Sequence, residues 1–270
     1  MNKFTESIRN LFTKTNWEQL GASITENVIF VLEFVGIIVA LFAIAYVAEW
    51  LIGRKKGEKV NVFSTRKMCI VGLFSAVAYV LILFDFALPF APSFYKIDAS
   101  ELPVLIVAFA YGPVAGVMTE FIKIFLKILT TGTSTAFVGE LANFAVGCSM
   151  VLPASILYET HKKKKIALIG CIVGTICMTI FGTGFNAIYL LPKYAQMWNC
   201  PVESFIAMGT AINSHITNIW NFVFLAVAPL NLLKGTAVSL LTMVMYKPLS
   251  PIIKFGNHDG HKKTAKTLQM

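Results

Sequence analysis

Residues 93–117 read SFYKIDASELPVLIVAFAYGPVAGV. A short polar patch with Lys96, Asp98, Ser100 and Glu101 runs into an apolar segment, 102–111, which stops at Gly112-Pro113 and resumes as 114–129. A Gly-Pro pair is strong helix punctuation, so the spacing predicts two helices here. The number of times the chain crosses a bilayer, and so the fold, turns on that break.

The flanking sequence says what kind of fold it is. The chain has 270 residues, 56% hydrophobic and only 14% charged, with mean hydropathy +0.70. Soluble domains carry about 25% charged and 45–50% apolar residues. The apolar excess falls in runs near the roughly 20 residues that a membrane-spanning helix needs. The pattern predicts an all-α polytopic membrane protein with seven helices over 28–52, 68–88, 102–111, 114–129, 138–158, 166–191 and about 215–246. Residues 130–135 (TTGTST) read as a polar turn and 192–212 as the longest outer loop. Residues 3–13 set Phe4, Ile8, Leu11 and Phe12 at helical spacing, a short amphipathic helix for the bilayer surface. The chain divides into three regions: 1–60 with the amphipathic segment, one transmembrane helix and a basic linker; 61–250, a compact helical bundle; and 251–270, a basic tail. The bundle halves show no sequence repeat, which argues against an inverted-repeat transporter.

The net charge of +9 is concentrated between apolar runs: Arg54, Lys55, Lys56, Lys59, Arg66 and Lys67; His161 to Lys165; and Lys247 to Lys263. Such placement marks the cytoplasmic ends of spans and suits anionic lipid, not nucleic acid. With all three clusters inside, the N-terminus lies outside, residues 93–103 face outward and the C-terminus is cytoplasmic. The first apolar run begins only near Val28 and has no small-residue cleavage site, so no cleavable signal is evident.

Five cysteines (Cys69, Cys148, Cys171, Cys177, Cys200) lack CxxC or CxxH spacing and read as small apolar residues. No Walker A, GxSxG or HExxH motif occurs, and the histidines have no partner pattern. No catalytic residue, metal ligand or cofactor is assigned.

Ionisable groups inside a membrane are costly and mark function by default. Glu33, near the outer interface, is the weakest such mark. Glu120, Lys123 and Lys127 share one helical face, as an internal ion pair or a ligand contact, and Glu140 with Asn143 extends that seam. Asn186 precedes Tyr189 and Pro192, and Asn231 and Lys234 are spaced i, i+3. Asparagine and lysine together supply several donors and an acceptor. They suit either the polar edge of a planar heterocycle or hydrogen bonds between helices. In the opening stretch, Ser100 fits an N-cap, Glu101 and Pro103 fit the first helical turn, and Lys96 with Asp98 would pin the preceding loop. A membrane enzyme using Asp98 with Glu101, or Glu120 with Glu140, as acid and base is the reading from a different class; no histidine, metal or nucleophile partners them.

Taken in order, SFYKIDASELPVLIVAFAYGPVAGV, EFIKIFLK, GELANF, NAIYLLPKY and PLNLLKG resemble the riboflavin-binding S component, the substrate-specific subunit of energy-coupling factor (ECF) vitamin transporters, over about residues 66–250. The resemblance implies a six-helix S-component bundle, preceded here by one extra N-terminal transmembrane helix. It implies riboflavin as transported ligand, no cofactor, no ATPase of its own, and assembly with a T component and two ABC-type ATPase subunits in the bacterial plasma membrane. Asn186, Asn231 and Lys234 match the positions that contact the flavin ring, and Tyr95, Tyr189, Phe94, Leu88, Asn143, Glu140 and Phe137 are expected around them, with 88–95 as a lid. Gly72, Ser75, Ala76 and Ala78 match the face presented to the T component. An S component for another vitamin or a flavin analogue is the nearest alternative. The segment before residue 61 is outside the resemblance and is expected to be an accessory anchor.

Overall fold

The structure is a computed structural model that describes residues 28–57, 64–133, 135 and 137–255. The amphipathic segment 3–13, residues 58–63 of the basic linker and most of the basic tail lie outside the described residues.

The described chain folds into helices joined by short connections. Helix α1 is Val28–Lys56 and α2 is Thr65–Ile82. A two-stranded hairpin comes next, β1 (Phe86–Ala87) against β2 (Lys96–Ile97), antiparallel with Phe86 opposite Ile97. Then come α3 (Glu101–Tyr111), α4 (Pro113–Thr131) and α5 (Val138–Thr160). Helix α6 runs through Lys164–Phe185, a π-helical turn at Asn186–Leu190 and Leu191–Met197. Helix α7 is Val202–Ile212. Helix α8 starts at Ile219–Phe222, passes a second π turn at Val223–Val227 and continues as Ala228–Phe255. By length and composition, α1, α2, α5, α6 and α8 can each cross a membrane.

The Gly-Pro break is a real turn. Gly112 has φ +92° and its N–H bonds to the carbonyl of Ala108, while Pro113 opens α4. Left-handed φ is where glycine is favoured, and proline at the first turn sacrifices no ladder bond. The two helices fold back on each other. A Cβ on Gly116 would lie 2.7 Å from that of Ala108, and Lys123 reaches Ser100, each pair nearly symmetric about the turn. Helix α3, with 11 residues, is only about 16 Å long. Continuing α4 from Lys123 to Thr131 adds about 12 Å, so α3 begins well short of the C-terminal end of α4. Residues Pro103 to Ala110 are all buried, and α2, α4, α5 and α8 surround them.

Helices α5 and α6 make the most extensive pair. Gly170 and Gly174 form a GxxxG face: a Cβ at either would sit 2.7 or 2.6 Å from the carbonyl oxygens of Ala154 and Met150. Small residues at this spacing let backbones approach where lipid offers no hydrophobic drive to associate.

Three boundaries differ from the sequence reading. The second span stops at Ile82, not at 88, because the chain turns into the hairpin there. Residues 192–212 are not a loop: α6 extends to Met197 and α7 fills 202–212. Pro192 does not end α6, because it comes after a π turn in which the Leu191 N–H bonds to the Asn186 carbonyl. The hydrogen-bond register resets there, so a residue without an N–H is tolerated. The last span starts at Ile219 rather than near 215, with Asn218 accepting from the Asn221 N–H as its cap.

Because the obstacles at Gly170 and Gly174 are backbone atoms, overpacking costs of about 1–3 kcal/mol outweigh the helix-propensity gain of about 1 kcal/mol. The double change Gly170→Ala/Gly174→Ala should lower the thermal midpoint in detergent. Gly184→Ala, which meets open space, should not.

Candidate functional site

A cavity of about 390 Å³ lies at the end of the bundle where the hairpin, α6 and α8 converge. Its wall draws on the hairpin and on helices α2 to α6 and α8. The hairpin connection gives Phe94, Tyr95, Lys96 and Asp98; α3 gives Glu101; α4 and α5 give Lys127, Glu140 and Asn143; α6 gives Asn186, Tyr194 and Trp198; and α8 gives Asn231 and Lys234.

Its floor is a buried charge cluster. Lys234 Nζ lies 3.1 Å from Asp98 Oδ2 and 3.0 Å from Glu101 Oε1. Lys123 Nζ donates to Ser100 Oγ at 3.0 Å, lies 3.5 Å from Glu101 Oε1 and pairs with Glu120. Side chains of α3, α4, α8 and the loop before α3 thus meet at one point. Asp98 also accepts from the Ser100 N–H at 2.8 Å. Burial opposes ionisation of Asp98, but the ammoniums of Lys234 and Lys123 and the Ser100 hydrogen bonds outweigh it and hold the carboxyl well below the usual range. Gly147 gives Glu120 its space, since a Cβ there would fall 2.5 Å from Oε1.

Two cavity-lining side chains keep unspent capacity. Glu101 Oε2 and Asn231 Nδ2 are buried and make no hydrogen bond within the described chain. Leaving such a group unpaired costs about 1–3 kcal/mol. One is an acceptor and the other a donor, so the site is prepared for a ligand edge carrying both. Gly182 keeps the space for Asn231, whose Nδ2 would sit 2.5 Å from a Cβ there.

The opposite wall is aromatic. Phe94 stacks obliquely with Tyr95 at 4.5 Å and meets Phe205 of α7 edge-on at 5.6 Å, and Trp198 stacks on Phe205 at 5.5 Å. The Tyr95 hydroxyl donates to Asn186 Oδ1 at 2.7 Å, and Asn186 Nδ2 donates to the Gly182 carbonyl at 2.7 Å. The hairpin connection is therefore latched to the π turn of α6. At the rim, Lys127 lies 3.4 Å from Glu140, which also accepts from Thr133 and Thr135.

Of the residues expected at a site, Asn186, Asn231, Lys234, Tyr95, Phe94, Asn143 and Glu140 line the cavity. Two do not. Tyr189 bonds to Glu33 of α1, outside the cavity. Leu88 faces a separate surface depression beside Met208 and Ile212. The π turn explains Tyr189: one inserted residue rotates the register, so an i+3 neighbour of Asn186 leaves its face. Phe137 is buried with φ 69° ahead of α5 and is not part of the lining. Lys96 pairs with Asp85 at 2.9 Å across the hairpin, not with Asp98, which Lys234 holds. Ser100 precedes α3 but caps nothing, its hydroxyl accepting from Lys123 instead. On α2, Ser75 and Ala78 are fully buried and cannot belong to an exposed docking face; Ser75 bonds to the Val71 carbonyl at 2.7 Å. Gly72 and Ala76 do face outward. Tyr194 and Trp198 are absent from the expected set because 192–212 reads as a loop in sequence; the aromatic spacing after Asn186 is the signal that points to them.

A family model for the substrate-specific component of ECF transporters matches residues 66–246. The chain belongs to that family. It is 30% identical over 190 residues to the riboflavin transporter FmnP of Bacillus subtilis (strain 168), covering 70% of this chain and 94% of that one. The riboflavin transporter RibU of Staphylococcus aureus (strain TCH60) is 29% identical over 73% of this chain and 97% of its own. A solved structure, that of the S component of a bacterial ECF transporter, superposes with TM-score 0.55 at 29% identity, covering 70% of this chain and 98% of that chain. As an S component the protein is a multi-pass membrane transport subunit, and membership of a transport family disfavours the paired-carboxylate enzyme. The geometry agrees: Asp98 and Glu101 share Lys234, while Glu120 and Glu140 are engaged by different lysines.

Removing one partner of a buried pair costs about 3–5 kcal/mol, because the other charge is stranded. Lys234→Met should sharply lower ligand-free thermal stability, and adding Asp98→Asn with Glu101→Gln should restore much of it. Unchanged unfolding curves for Lys234→Met would remove the cluster from the account of stability.

Proposed function

We propose that this S component captures riboflavin in the cavity from the outer side of the membrane and delivers it with a T component and two ABC-type ATPases. The observation that carries the reading is the pair of unspent buried groups, Glu101 Oε2 and Asn231 Nδ2, beside an aromatic wall in a cavity of ligand-binding size. The pyrimidine edge of a flavin presents an N–H donor next to carbonyl acceptors, matching one acceptor and one donor. Its flat ring suits Tyr95, Tyr194 and Trp198, each stacked contact adding about 0.5–1.5 kcal/mol. About 300–1,000 Å³ is usual for small-molecule sites, and the cavity falls within that range. The names of the relatives, which are riboflavin transporters, support the same ligand.

Riboflavin carries no charge. The lining suits that, since the lysines at the cavity, Lys96, Lys127 and Lys234, are each matched by a carboxylate. Asn186, with its oxygen bonded to Tyr95, would sense the ligand through the lid. Lys56, at the end of α1, bonds to Glu159, which also pairs with Lys162 at 2.8 Å. Two basic clusters thus share one end of the bundle, which under the positive-inside rule is cytoplasmic; the cavity then opens outward, with the N-terminus outside and the C-terminus inside. Gly72 and Ala76 on α2 are the small exposed residues offered to the T component. Residues 61–250 form the transport bundle, with 1–60 an added anchor and 251–270 a cytoplasmic tail.

Asn231→Leu should weaken riboflavin binding by about ten- to a hundredfold, from a lost hydrogen bond worth about 1–3 kcal/mol with its partner left unpaired. Quenching of flavin fluorescence by purified protein reads this directly. Wild-type protein that neither quenches nor co-purifies with flavin overturns the reading.

A further inference from the structure

Helix α1 lies outside the matched residues 66–246, yet it is fastened to the bundle at both ends. At the inner end Glu49 Oε2 accepts the Val114 N–H at 3.1 Å, in the first turn of α4, while its other oxygen lies 3.3 Å from Lys67. A carboxylate over the free N–H groups of a helix start is electrostatically favourable, and it locks α1 to the Gly112-Pro113 turn. Between the ends, Phe34 packs on Phe144 and Phe42 on Phe121. At the outer end Glu33 accepts from the Tyr189 hydroxyl and lies 3.1 Å from Lys193. The Lys193 ammonium also sits 5.4 Å over the ring of Phe30, which is buried.

Tyr189 and Asn186 belong to the same five-residue π turn. Asn186 points into the cavity and holds Tyr95 of the hairpin connection, while Tyr189 points away and is held by Glu33. We infer that α1 is a positioning element for the ligand site: Glu33, acting through Tyr189, fixes the π turn that presents Asn186 and latches the lid. A plain anchor needs no polar grip on the turn that carries Asn186. Any π turn strays from the preferred α-helical bonding, so an external tether on it sets its position where the ladder alone does not. The inference rests on the reading of the cavity as the ligand site.

The test uses full-length protein in nanodiscs, with Glu33→Ala, Tyr189→Phe, Glu33→Gln and, as control, Val39→Ala on the exposed face of α1. Without ligand, Glu33→Ala and Tyr189→Phe should each increase hydrogen–deuterium exchange in 186–197 and also in 94–98, leaving 65–82 unchanged. With flavin, both should speed dissociation by about two- to thirtyfold, the range seen for residues that act through others, with little change in association. Glu33→Gln keeps an oxygen for the Tyr189 hydroxyl and should restore most of the slow dissociation. Altered exchange confined to α1 and its contacts on α4 and α5, with 94–98 unmoved in both variants, overturns the inference. If wild-type protein binds no flavin, the riboflavin reading fails, and the exchange arm still decides whether α1 positions the π turn.

Discussion

The cluster of Asp98, Glu101, Glu120, Lys123 and Lys234 is the junction on which the rest of the bundle depends. It ties the start of α3 to α4 and α8 at a depth where charged groups are expensive. Such pairs add little net stability, because desolvation offsets their attraction. Their effect is on geometry. Three carboxylates and two lysines can meet in one place only if α3 is short, if it folds back at Gly112, and if α8 passes beside its first turn. The sunken start of α3 then leaves room above it, and that room is the cavity. Fixing the arrangement of the helices and shaping the cavity floor are therefore tasks of the same side chains.

Two π turns sit in the helices that complete the wall, Asn186–Leu190 in α6 and Val223–Val227 in α8, and they pack against each other. Each inserts a residue and rotates the rest of its helix, which is a common device at functional sites. In α6 the rotation sends Asn186 and Tyr189 to opposite sides. One then serves the cavity and the other serves α1. A regular α-helix would have put both near one face and left α1 without its grip on the π turn.

Much of the site was legible because polar groups in apolar segments are rare. Asn143, Glu140, Asn186, Asn231 and Lys234 stand out on that ground alone, and all of them line the cavity. The partner of each charge was not legible. Lys96 and Asp98 are two residues apart, a spacing that would put both on one face of a continuous strand, but β2 ends at Ile97, and Lys96 turns to Asp85 while Asp98 turns to Lys234. Ser100 has the sequence of a cap, yet a buried ammonium from α4 competes for its oxygen and wins. Gly72, Ser75, Ala76 and Ala78 look alike as small residues; only the positions of α3 and α4 separate the buried pair from the exposed one.

The sequence by itself determined the membrane-embedded helical class, the break at Gly112-Pro113 and the polar positions, because hydropathy, backbone sterics and the cost of burying charge are local properties. The tertiary structure decided the rest: which carboxylate meets which lysine, that Tyr189 leaves the cavity while Tyr194 and Trp198 enter it, and that α1 grips both ends of the bundle. Those outcomes depend on helix register and on contacts between residues far apart in the chain, which no local pattern encodes.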